Sequence, residues 1–72
     1  MTSLIGATGD VTVAIDGGTA LGEVELFVSG GSERFLAQCP YPLTVGEAVL
    51  VVGVQPGRVV DVERWAVPGI GI

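Results

Sequence analysis

The chain has 72 residues, with three arginines, eight acidic residues, no lysine or histidine, and a formal net charge of -5. That length holds one domain at most and lies near the lower limit for a self-supporting core. One cysteine closes no internal disulfide, and without histidine it leaves zinc short of its usual ligands. The side chain that most often moves protons near neutral pH is absent too.

The composition is 49% hydrophobic and 15% charged, which is that of a folded domain. Much of the apolar content is valine, a β-branched residue that favours strands. The acidic excess argues against phosphate-backbone binding, which relies on lysine and arginine, and against adsorption to anionic lipid through a polybasic patch. A membrane-spanning helix needs about 20 mostly apolar residues. The longest wholly apolar stretch, Ala48 to Val54, is much shorter, and its valines and Gly53 suit a strand. Met1 to Gly9 lacks the basic start and apolar block of a signal peptide.

Alternation of period two predicts five strands and no convincing helix. The first runs from Gly9 to Ile15, with Val11, Val13 and Ile15 on one side and Asp10, Thr12 and Ala14 on the other. Asp16-Gly17-Gly18-Thr19 then turns the chain. The second strand, Leu21 to Ser29, sets Gly22, Val24, Leu26 and Val28 against Glu23, Glu25 and Phe27. Ser29-Gly30-Gly31-Ser32 is a hairpin connection into the third strand, Glu33 to Cys39. Pro40 and Pro42 make Cys39 to Gly46 an ordered loop, with room for one turn of 3₁₀ helix. The fourth strand, Glu47 to Val54, is a nearly continuous apolar run, the pattern of burial on both faces or of a barrel strand whose outside is covered. Gln55-Pro56-Gly57 turns the chain into the fifth strand, Arg58 to Trp65.

Five short strands with tight turns point to an all-β, antiparallel barrel of the five-stranded OB type, with little or no helix. The SH3-like small barrel is the competing architecture. The division is a lead-in over residues 1–8, the barrel over 9–65 and an uncharged tail over 66–72.

Gly46-Glu47-Ala48-Val49-Leu50-Val51-Val52-Gly53-Val54, followed by Gln55-Pro56-Gly57-Arg58-Val59-Val60-Asp61-Val62-Glu63, resembles the end of the NfeD-like C-terminal domain. Leu4-Ile5-Gly6-Ala7-Thr8-Gly9-Asp10-Val11-Thr12-Val13 is similar to that family's opening, and Gly22-Glu23-Val24-Glu25-Leu26 to its second strand. The middle loop, with its prolines, does not align. The resemblance implies an OB-like barrel that follows membrane-spanning helices in a parent protein. It further implies a stomatin- or flotillin-like membrane scaffold as partner. The implied setting is a soluble domain tethered to the membrane only through a parent segment absent from this chain, with the cytoplasmic side favoured.

The residues offer little chemistry. Ser3, Ser29 and Ser32 have neither histidine nor lysine for a triad or dyad, and read as turn and terminal serines. Asp16 is the only acid in its turn, too few for a calcium loop of the familiar kind. Cys39 has no basic neighbour in sequence and reads as buried and inert. No enzyme, cofactor or metal is expected. Phe27 and Phe35 occupy the strands on which OB barrels stack bases, but Glu23 and Glu25 beside Phe27 would repel phosphate. A nucleic-acid-binding OB module is therefore the second reading, and a small enzyme or metal module, without histidine and with one cysteine, the third and least favoured; a stand-alone cytosolic β-domain is a further alternative. The favoured expectation is protein contact, with a scaffold protein or with further copies. Trp65, Tyr41 and Phe27 are the candidate contacts, and Glu23 and Glu25 supply polar steering.

Overall fold

The computed structural model describes residues 3–65; the expected tail over 66–72 lies outside them, as do the first two residues of the lead-in. Five strands follow one another: β1 (Thr8–Val13), β2 (Gly22–Val28), β3 (Gly31–Gln38), β4 (Ala48–Gln55) and β5 (Val59–Arg64). They close into a barrel in the order β1-β2-β3-β5-β4, an OB-type arrangement.

Four seams are antiparallel, as expected, but β3 and β5 run parallel, pairing Leu36 with Val59 and Gln38 with Asp61. Expecting antiparallel pairing throughout left this seam out. The reason is parity: strands that alternate direction around a closed ring must be even in number. An odd ring has at least one parallel seam.

The β2–β3 hairpin is tighter than its sequence suggests. Ser29 (φ 43°) and Gly30 (φ 79°) form a two-residue turn with positive φ at both positions, which matches the twist of the flanking strands. Gly31 already belongs to β3.

Inward residues alternate along each strand. Val24 and Leu26 of β2, Val49 and Val51 of β4, and Val60 and Val62 of β5 fill the interior, and among the described residues no polar or charged side chain is buried. Two irregularities interrupt the pairing. The β1–β2 register shifts between Val11 and Val13. Val11 and Ile15 stay in the core while Val13 turns out to 52% exposure, which corrects the expectation that all three share a face. The β4–β5 register shifts between Val51 and Gly53. Val52 and Val54 are 47% and 48% exposed, so β4 is neither buried on both faces nor covered outside. A closed barrel needs only one inward face per strand.

The proline loop contains no 3₁₀ turn; it bends at Pro40 and Tyr41, pairs through Leu43 with Ile15 beyond the end of β1, and turns at Val45–Gly46, where Glu47 N–H donates to Thr44 O at 3.1 Å. Ile15 and Leu43 exchange backbone hydrogen bonds at 2.9 Å in each direction. Val11 N–H donates to Glu47 O at 3.0 Å, and Gly46 N–H to Val11 O at 2.9 Å. β1 pairs with β4 only over Thr8–Asp10, so the loop supplies the partner that β4 no longer provides. The Leu43 side chain is 1% exposed and completes the core.

Candidate interaction surface

At one end of the barrel the chain builds a polar clasp around Tyr41. The Tyr41 hydroxyl accepts a hydrogen bond from the Arg64 backbone N–H at 2.8 Å. The Arg64 guanidinium lies over the Tyr41 ring, 5.3 Å from its centroid, and donates to Glu47 Oε1 at 2.8 Å. Glu47 Oε2 accepts from the Thr44 backbone N–H at 2.7 Å. This last bond, followed by the arginine, holds the Glu47 carboxyl below the usual glutamate range; Glu47 in turn holds Arg64 above its ordinary value. Tyr41, half-buried, is thus a positioning element of the loop.

Trp65 is the next residue. Its N–H donates to Ala48 O at 2.9 Å, which extends the β4–β5 ladder, while its side chain stays 39% exposed. Ala48 pairs with Asp10, and Asp10 pairs with Glu25. Trp65 and Glu25 therefore stand in one transverse row on the outside of the barrel. They are three strand spacings apart, about 14 Å measured around the sheet. Phe27 lies two residues beyond Glu25 on the same face and is 57% exposed. The side chains of Trp65 and Phe27 supply large apolar area that the core does not use.

The two glutamates differ. Glu23 Oε1 accepts from Thr12 Oγ1 at 2.7 Å and lies 3.6 Å from Arg34 Nη1, so its charge is already answered within the barrel. Glu25 Oε2 accepts from Ser32 Oγ at 3.0 Å and pairs by register with Asp10 on one side and Arg34 on the other. The structure leaves Trp65 at the end of β5, and Phe27 and Glu25 on β2, all outward but on strands that are not neighbours in the ring, so it does not gather them into one patch. Tyr41 is tied to the Arg64 backbone, and Glu23 to Thr12 and Arg34. The reading of single residues missed Glu47 and Arg64. They are 17 residues apart, and no local spacing announces their contact.

A base-stacking platform is not formed by the two phenylalanines. Phe35 points inward and is 6% exposed, with the Arg58 guanidinium 4.4 Å from its ring centroid, while Phe27 points outward. Each arginine is ion-paired: Arg34 with Glu23, Arg58 with Glu33 and Arg64 with Glu47. Cys39 is a free thiol, 1% exposed. Among the described residues no group of three histidine, cysteine or acidic side chains is placed to hold a metal ion, and no helix is long and apolar enough to cross a membrane.

These features define a small OB-type barrel with exposed aromatics on its outside and without the residues of conventional nucleophilic or zinc chemistry. Residues 8–63 match the model of the NfeD C-terminal domain, and the chain belongs to that family. Among solved structures, the soluble domain of the NfeD protein YuaF from Bacillus subtilis, determined in solution, is similar to it. The two share 28% sequence identity at a TM-score of 0.72, over 85% of this chain and 73% of that one. No curated protein sequence matches the chain.

Proposed function

We propose that this barrel is a protein-interaction domain of an NfeD-type membrane protein and works by contacting a stomatin- or flotillin-like membrane scaffold. A parent segment outside this chain tethers it to the membrane, on the cytoplasmic side. Trp65 and Phe27 are the anchors, Tyr41 holds the proline loop against the end of β5, and Glu25 steers the approach, with Glu23 beside it partly neutralised by Arg34. The observation that carries this reading is the exposure of the two aromatics, 57% for Phe27 and 39% for Trp65, on the outside of a barrel whose core is complete without them. Aromatic residues are enriched among the anchors of protein interfaces.

The test is capture of detergent-solubilised membrane proteins by the immobilised domain, with Trp65→Ala and Phe27→Ala as controls of matched urea midpoint. Recovery of a stomatin- or flotillin-like protein by the normal domain, and its loss with either folded variant, supports both partner and anchors. Recovery by all three discards the anchors. Recovery of no such protein rejects the scaffold reading, and sedimentation of the isolated domain then shows whether the same aromatics join copies of the chain.

A further inference from the structure

The parallel pairing of β3 with β5 ends at Gln38 and Asp61. A cleft of about 390 Å³ opens there, lined by Gly18, Gln38, Pro40, Val52, Asp61 and Val62 among others. This volume is at the lower end of ordinary ligand sites, which begin near 300 Å³. Its polar feature is the Asp61 carboxylate, which three strands hold in place. Gln38 Nε2 on β3 donates to Oδ1 at 2.6 Å, and Gln55 Nε2 on β4 donates to Oδ2 at 2.8 Å. Gly53, the register partner of Asp61 on β4, makes the room: a Cβ there would lie 2.7 Å from Oδ2. Each carboxylate oxygen takes one amide bond and keeps a further acceptor position.

No cation of the described residues answers this carboxylate. The three arginines are committed to Glu23, Glu33 and Glu47, and the chain has no lysine or histidine. Beside Asp61 the cleft has apolar side chains in Pro40 and the outward Val52, which is 47% exposed. A fixed carboxylate with one free acceptor position on each oxygen suits the planar fork of a guanidinium. An apolar wall suits the methylene stem that precedes it.

We propose that the cleft is a binding site for an arginine side chain of a different protein, with the stem against Val52 and Pro40 and the guanidinium on Asp61. A second copy of the chain is a poorer source, because each of its arginines would first have to leave an acidic partner. The site uses neither Trp65 nor Phe27 and stands whether or not those aromatics bind a scaffold.

The test is a titration of the ¹⁵N-labelled chain, followed by NMR, with the blocked tripeptide acetyl-Ala-Arg-Ala-amide and its citrulline and lysine counterparts. The arginine peptide is expected to give saturable shifts at the Gln38 and Gln55 side-chain amides and at the Val52 and Val62 backbone amides. The neutral citrulline peptide should bind about five- to tenfold more weakly, the difference between a charge-assisted and a neutral hydrogen-bond set. Asp61→Asn should remove the preference for arginine. Val52→Lys, at an exposed position, should supply an internal cation and block the peptide; it decides the matter if Asp61→Asn disturbs the barrel. Equal binding of citrulline, no saturable shift at these amides, or undiminished binding to Val52→Lys overturns the site. Equal binding of the lysine peptide overturns the guanidinium assignment.

Discussion

The Tyr41 hydroxyl accepts the backbone N–H of Arg64 across 2.8 Å, joining the proline loop to the end of β5. Without that acceptor, the last ladder position of β5 has only solvent on its outer edge. Tyr41→Phe keeps the ring beneath the Arg64 guanidinium and removes the acceptor alone. The expected cost is about 0.5–1.5 kcal/mol in urea unfolding. Amide exchange at Arg64 should quicken more than exchange at Val62, which separates this local effect from global loss of stability.

The Glu47 carboxyl is held low by the Thr44 N–H and then by Arg64. A carboxylate with a folded pKa below its unfolded one stabilises the fold fully above the unfolded value, about 4.3 for glutamate. That contribution disappears as pH falls through the folded pKa. Urea midpoints measured from neutral pH down to about pH 3 should therefore fall on the acid side, a window set by the ordinary glutamate pKa. Glu47→Gln should flatten part of that fall. An unchanged slope would detach the clasp from acid sensitivity.

Leu43 is the largest side chain that the loop buries in the core, beside the smaller Cys39. Leu43→Ala should cost about 2–5 kcal/mol. Domains of this size have stabilities of only about 4–11 kcal/mol. Circular dichroism melts should show a large fall in midpoint, whereas Val45→Ala, at a 63% exposed position of the same loop, should change little.

Gly9 on β1 packs directly against the backbone carbonyl of Glu25 on β2, so a Cβ would collide with an atom that no rotamer change can move. Gly9→Ala should destabilise by about 3 kcal/mol or more, or prevent folding. Gly31→Ala, where a Cβ meets open space, is the matched control and should unfold near the normal midpoint.

Cys39 is 1% exposed, so a thiol reagent should leave the native chain unmodified. Complete reaction is expected once urea unfolds the barrel, and the midpoint by labelling should match that by circular dichroism. Fast labelling in buffer would place Cys39 outside the core.

The five strands were legible because each carries its own alternation between glycine- and proline-marked turns. The inward faces of β2 and β5 follow directly from Val24-Glu25-Leu26 and Val60-Asp61-Val62. Val13 departs from its expected face because its direction depends on a pairing shift against β2, which the alternating valines do not mark. Val52 lies outside by plain alternation with the buried Val49 and Val51, which a continuous apolar run conceals. Phe27 and Trp65 could be named as candidates from position and type. That both point out of the barrel, with Trp65 in the transverse row of Glu25, follows only from the register through Ala48 and Asp10.

The sequence by itself determined an all-β chain of five strands, a family resemblance written in its glycine–valine spacing, and a residue set without the means for conventional nucleophilic or zinc chemistry. These are properties of local pattern and composition. Only the tertiary structure decided the parallel β3–β5 seam, the pairing of each arginine, the loop that completes β1, and the cradle around Asp61. Each depends on contacts between residues distant in the chain, as in Gln38 and Asp61, 23 residues apart. Barrel closure and register bring such residues together, and neither is encoded in any single stretch of sequence.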